Sequence, residues 1–362
     1  MMAAIRDLHP GYFAFVMATG IISTGTFLLG PSWLSRALLV VAAAGLAVLS
    51  AALVIRLARF RSSMAADIRA PERVFGFFTI TAGLDVLAVR LSDAGHPLAT
   101  AILAAVAAAV WLALTYGVPA SLLLTRAHDS VLSGVNGSWL LWVVSTESIA
   151  LTAAVLVPAW PSQARLLASV ATGLWSLGLV LYLLLVSLIL LRWLTVPMTP
   201  QALGPPYWIL MGATAITVLA GAKILVLPGM LPAVRATAGF VEGFSYALWA
   251  FGTWWIPLLV ILGCWRHVWQ RWPLTYEPPL WSVVFPLGMY SVATLTFGQA
   301  AGISFMAPLA RVMIWVAVAA WILVAAAFFR SPSGQQPHLP RRPSPGCPPT
   351  STQRAGVQPS AR

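Results

Sequence analysis

Three ionisable side chains, Asp85, Glu147 and Lys223, stand deep inside apolar stretches of this sequence. A carboxylate facing hydrocarbon costs several kcal/mol, so Asp85 and Glu147 must face protein or water, where each can take up and release a proton. Hydroxyls recur nearby at helical spacing. Thr19 and Ser23 form one set, Ser145 and Ser148 a second, Thr214 and Thr217 a third. Separations of three, four and seven residues put such groups on one stripe of a helix. A hydroxyl stripe can hydrogen-bond a solute, or can hold neighbouring helices together at roughly 0.6–2 kcal/mol per contact. Helix breakers lie in the same stretches: Gly20, Gly83, Gly212 and Gly221, and Pro286 followed by Gly288. Irregular backbone at membrane depth is tolerated where it is buried or lines a water-filled cavity, and glycine serves close helix packing equally well.

Other chemistries lack their residues. The histidines His9, His96, His128, His267 and His338 fall at helix ends, loops or the tail, with no His-x-x-x-His pair and no glycine-rich phosphate loop. Two cysteines, Cys264 and Cys347, make neither a disulfide framework nor a four-cysteine zinc site. No catalytic constellation, metal site or cofactor is expected.

The elements that hold these groups follow from composition. Hydrophobic types make up 60% of the 362 residues and charged types 8%. Soluble chains carry about a quarter charged residues, so this one is an integral membrane protein and not a disordered chain or a cytosolic enzyme. A bilayer needs about 20 apolar residues per spanning helix. Ten such runs occur, near Pro10–Leu29, Leu34–Ile55, Val74–Leu91, Leu98–Leu124, Ser138–Leu156, Leu166–Leu191, Tyr207–Leu227, Phe240–Trp265, Pro279–Phe297 and Pro308–Phe329. The first lacks the basic start and cleavage site of a signal peptide and is expected to be retained. With the N-terminus in the cytoplasm, fifteen basic residues fall inside and six outside. That bias predicts a multi-pass inner-membrane protein with both termini cytoplasmic. The net charge of +12 is scattered between apolar runs, so nucleic acid is not an expected partner. Residues 1–330 are expected to form one transport-type transmembrane domain, and the Pro/Ser/Gln/Arg-rich stretch 331–362 a disordered cytoplasmic tail.

Asp85, Glu147 and Lys223 all belong to odd-numbered runs, and the hydroxyl stripes follow them. The expected architecture is therefore all-α: ten transmembrane helices arranged as five helical hairpins around a central pore. Odd helices form the inner ring and even helices pack outside.

Two segments carry a resemblance. Pro10-Gly11-Tyr12-Phe13-Ala14-Phe15-Val16-Met17-Ala18-Thr19-Gly20-Ile21-Ile22-Ser23 resembles the first helix of the tellurite-resistance/C4-dicarboxylate transporter family. Trp281-Ser282-Val283-Val284-Phe285-Pro286-Leu287 is similar to that family's ninth-helix pattern. The family includes bacterial tellurite-resistance proteins, plant guard-cell slow anion channels, yeast malate permease and fungal sulfite pumps. The resemblance covers roughly residues 8–330. It implies a pore in each protomer of a homotrimer, transport of a C4-dicarboxylate such as malate or of an inorganic anion such as chloride, nitrate, sulfite or tellurite, and a gate at Phe285. An apolar ring at a constriction stops ions by dewetting until it swings aside. One departure stands out. Dicarboxylate and sulfite members share a proline-bearing fifth helix, where this chain reads Val143-Val144-Ser145-Thr146-Glu147-Ser148. A glutamate there repels an anion unless it is protonated or paired, for which Lys223 is a candidate. Asp85 and Glu147 are thus candidates for proton coupling.

Overall fold

The computed structural model describes residues 2–124 and 131–330. The expected tail, 331–362, lies outside the described residues. The described residues are helical with no strand. Among the described residues ten helices are long and apolar enough to cross a membrane: α1 Pro10–Leu29, α2 Ser32–Arg59, α3 Val74–Asp93, α4 Pro97–Leu124, α5 Gly137–Ala159, α6 Pro161–Thr195, α7 Pro205–Leu225, α8 Pro232–Trp269, α9 Pro278–Ala300 and α10 Met306–Arg330. Several extend beyond their apolar runs, because proline or serine at the first helical position starts the helix before the hydrophobic stretch begins.

Burial divides the helices by parity. The apolar windows of α1, α3, α5, α7 and α9 are 72–89% buried, against 17–44% for the even helices. Exposed Val40, Val48, Leu123, Leu194 and Phe329 show where the even helices turn outward. An apolar surface of that extent needs lipid as its solvent.

Contacts give the order of the inner helices. α1 packs on α3, α3 on α5, α5 on α7, α7 on α9, and α9 returns to α1, so the odd helices close a five-membered ring. Each even helix packs on the odd helix that precedes it. Glycines let the ring close. A Cβ on Gly20 would lie 2.8 Å from Val86 of α3, on Gly212 2.8 Å from Pro286 of α9, and on Gly288 2.9 Å from Ile21 and Ile22 of α1.

A polar clamp repeats around the outside. The indole of Trp111 on α4 donates to Thr146 of α5 (3.0 Å), Trp249 on α8 to Thr294 of α9 (2.9 Å), and Trp321 on α10 to Thr19 of α1 (3.0 Å). Trp175 on α6 donates to the Thr217 carbonyl of α7 (2.9 Å). Between α2 and α3 the same role passes to Arg90, whose Nη2 donates to Ser35 (2.9 Å). Every even helix is therefore bonded to the odd helix that follows it, covering a seam of the ring. An indole N–H buried in an apolar layer needs an acceptor, so these bonds fix rotation as well as contact.

Candidate functional site

All five odd helices begin with a short 3₁₀ turn, at Pro10–Phe13, Val74–Phe77, Gly137–Leu140, Pro205–Trp208 and Pro278–Leu280. Proline in the first turn of three of them presets the backbone and removes a donor that the helix leaves unused. In α1 the Gly11 N–H is capped by His9 Nδ1 (3.0 Å), and in α5 the Ser138 N–H by Asn136 Oδ1 (2.8 Å). These five starts meet at one narrow cleft. Its lining takes Gly11 from α1, Gly76 and Thr79 from α3, Ser138 and Leu141 from α5, Pro206 from α7, and Pro279 and Ser282 from α9, with His9 and the opposite charges of Glu72 and Arg73 at its edge. Ser138 Oγ is buried there without a hydrogen-bond partner. Small side chains make the approach possible. Gly137 lies against the Pro206 carbonyl, and a Cβ on Gly76 would stand 3.0 Å from the Gly11 nitrogen.

Phe285 lies one helical turn beyond Ser282, on the same face of α9. It is 1% exposed and among the largest fully buried side chains. Pro286 sits inside an unbroken α9, where its missing N–H frees the carbonyl of Ser282.

The carboxyls occupy two different seams. Asp85 on α3 accepts from Ser148 Oγ of α5 (2.8 Å) and has Thr152 as a second polar neighbour, while its other oxygen has no well-formed hydrogen bond. Glu147 lies on α5 with its carboxyl packed against Gly178 of α6 (Cδ 2.7 Å from a Cβ placed there). Its polar neighbour is Thr217 of α7, but neither carboxyl oxygen has a well-formed hydrogen bond. Both residues are fully buried. Lys223 does not serve either of them. Its electrostatic partner is Asp93, at the end of α3, because it stands in the last turn of α7.

The hydroxyls expected to line a path are spread over several seams. Thr19 accepts from Trp321, and Ser23 donates to the Ser35 carbonyl of α2 (2.7 Å). Ser145 bonds the Trp142 carbonyl, Thr214 the Met211 carbonyl and Thr217 the Ala213 carbonyl, each within its own helix. Thr214 also packs against Gly252 of α8.

Sequence reading missed two groups of residues. Arg90 reads as an outer-end topology residue, yet it is 3% exposed and bonds Ser23 (3.2 Å) and Ser35, with its guanidinium 4.2 Å from the Phe27 ring centre. The mouth residues Thr79, Ser138 and Ser282 were also passed over. Glycine in the first turn of α1, α3 and α5, and paired prolines in that of α7 and α9, were the available signal.

Outside the cleft, Asp67 is held by Arg56 (2.6 Å) and Arg73 (3.0 Å). His9 borders both regions. Burial, with the charge of Arg73 second and Asp67 opposing, holds its pKa down at about 4. The unfolded chain takes up that proton near pH 6.5, so stability is present above 6.5 and is lost as pH falls toward 4. The loss is up to about 3 kcal/mol for a shift of this size. Replacing His9 by asparagine, the residue that caps α5 in the same way, should remove this share. Thermal unfolding in detergent at pH 7 and near pH 4 checks it; an equal acid loss in both proteins would refute the assignment.

The sequence matches the family described as voltage-dependent anion channel (SLAC1) over residues 7–329. An uncharacterized membrane protein of Mycobacterium tuberculosis is 48% identical over 143 residues, 40% of this chain and 72% of the relative. An uncharacterized transporter of Methanocaldococcus jannaschii is 26% identical over 301 residues, 79% of this chain and 82% of the relative. A second transporter of that organism is 24% identical over 55% of this chain and 56% of its own length.

Proposed function

Since this chain belongs to the SLAC1 voltage-dependent anion channel family, we propose that it moves a small anion along the axis of its odd-helix ring. The observation that carries this reading is the single cleft lined by the first turns of all five ring helices. The arginine asymmetry supports placing that cleft on the cytoplasmic side of an inner membrane, with both termini there. At the mouth, the Ser138 and Ser282 hydroxyls offer hydrogen bonds to a partly dehydrated anion. Phe285, one turn deeper, is the gate, and Pro286 and Gly288 set its backbone. Thr19, Gly20, Ser23, Ser145, Ser148, Thr214 and Thr217 hold the walls in register, and Ser148 presents Asp85 at the α3–α5 seam. One path per protomer in a homotrimer completes the arrangement.

The substrate class is a small carboxylate such as malate, or an inorganic anion such as chloride or sulfite. Purified protein in liposomes, given gradients of these three anions with an internal pH dye, tests the reading. Flux of at least one is expected; flux of none would refute it.

Asp85 and Glu147 support proton coupling, because both are fully buried carboxyls whose polar neighbours are hydroxyls, Ser148 and Thr152 for the first and Thr217 for the second. Glu147→Gln keeps the shape and removes the proton. Anion flux should persist in the variant while its response to an imposed proton gradient disappears. An unaltered response would leave Glu147 a packing residue and the transport reading intact.

A further inference from the structure

At the end of the bundle where the odd helices start lies a second, larger cavity of about 680 Å³, bordered by Arg56, Arg73, Arg266, Trp272 and Tyr276. His9, Arg73 and Pro279 line both this cavity and the ring cleft, so the cavity is the cleft's antechamber.

Four arginines, Arg6, Arg56, Arg73 and Arg266, face three carboxylates on its wall, Asp7, Asp67 and Glu277, which leaves one positive charge in excess. Asp67 serves two guanidiniums at once, Arg56 at 2.6 Å and Arg73 at 3.0 Å, leaving that group a net positive charge. Arg56 is fixed further by donating to the Arg6 carbonyl (3.0 Å). Arg73, by contrast, is 38% exposed at its side chain and has donors to spare. Arg266 is buried, and its contact with Glu277 is 3.9 Å, too long for a hydrogen bond. Its Nε has no hydrogen-bond partner among the described residues. Asp7, also on the wall, is matched by Arg6 at 2.9 Å and adds no net charge.

Arginine with spare donors is the side chain best suited to bidentate phosphate recognition. Flat rings stand beside it. The Arg266 guanidinium lies 5.8 Å from the Trp272 ring centre, and Tyr276 borders the same space. A volume of several hundred Å³ suits a ligand of nucleotide size.

We propose that this antechamber binds a nucleoside diphosphate, with phosphates on Arg73 and Arg266 and the planar base against Trp272, and that the bound ligand blocks anion access to the ring. Binding of this kind is regulatory: the ligand is too large for the narrow cleft and stays in front of it. The blocking step rests on the transport reading and the cytoplasmic orientation above, whereas binding does not.

The test is calorimetric titration of the full-length protein in detergent with ADP, adenosine and inorganic phosphate. ADP should bind, and adenosine and phosphate should each bind at least about tenfold more weakly, since each keeps only half of the contacts. Arg73→Gln and Arg266→Gln should each weaken ADP about tenfold. Trp272→Leu should weaken ADP while leaving phosphate unaffected. Absence of ADP binding at millimolar concentration would overturn the site, as would unchanged affinity in both arginine variants with helix content intact by circular dichroism. Phosphate binding as tightly as ADP would overturn the role of the ring. In liposomes, internal ADP should slow anion flux. ADP that binds without slowing measurable flux overturns the block. A protein that binds ADP but moves no anion refutes the transport reading and leaves the site standing.

Discussion

Phe285→Ala should raise anion conductance about tenfold or more in planar bilayers. The ring is fully buried one turn beyond Ser282, which lines the cleft where the five odd helices meet. An apolar plug there denies a permeating anion its hydration, and each 1.4 kcal/mol removed from that barrier is a factor of ten in rate. The same substitution empties a core position, at a typical cost of 3–5 kcal/mol. Phe285→Leu is therefore the companion variant: it retains most of the packing and should open the path by a smaller factor. Conductance unchanged in both folded variants would make the residue a packing element and move the gate elsewhere.

Gly137→Ala should be the most damaging single methyl in the described part of the chain. A Cβ at this position meets the Pro206 carbonyl group and comes within 2.6 Å of the Tyr207 Cα. These are backbone atoms at the start of α7, locked by two successive prolines, so they cannot yield as the end of a flexible side chain would. Overpacking a closed core costs typically 1–3 kcal/mol, and a backbone clash belongs at or above the top of that range. The glycine has no positive φ, so the cost is steric alone. Gly173→Ala on α6 is the control. Nothing lies within 4 Å of its added Cβ, and helix propensity predicts a gain of up to about 1 kcal/mol. Thermal melts in detergent should show a clear fall for the first and none for the second. Equal midpoints for Gly137→Ala and the parent protein would mean that α5 and α7 do not meet as closely as described.

The sequence makes the ten spans and their two classes legible for a simple physical reason. A helix facing lipid on one side and protein on the other keeps ionisable groups toward its ends, as α8 does with Glu242, whereas one enclosed by protein can hold them mid-span. Asp85 and Glu147 accordingly mark α3 and α5 as inner helices. The same logic does not locate a path. Hydroxyl stripes read alike whether they face a solute or a neighbouring helix, and Thr19 turns out to accept from Trp321. Lys223 pairs electrostatically toward Asp93 and not toward Glu147, a choice fixed by where α3 and α7 end, which no spacing encodes. Arg90 illustrates the opposite error. A cation at the edge of an apolar run looks like a topology signal until two serines from α1 and α2 are found holding it inside. The mouth itself is built largely from glycine, proline and hydroxyl residues, which announce nothing individually and acquire meaning when five helix starts meet.

Those five first turns have an electrical consequence. Each helix carries a macrodipole whose positive end, roughly half an elementary charge, lies at its N-terminus. The five odd helices place that end on a common cleft, so their fields add where a small ion would come to rest. The combined partial charge is about 2.5 elementary charges at most, carried by main-chain amides and by no side chain. This contribution favours negative charge and does not change with pH, because peptide dipoles do not titrate; Glu72 and Arg73, which line the same cleft with opposite charges, add to it separately. The dipole share of the field is in this way a property of the backbone direction common to the ring, and it survives substitution of any single basic residue.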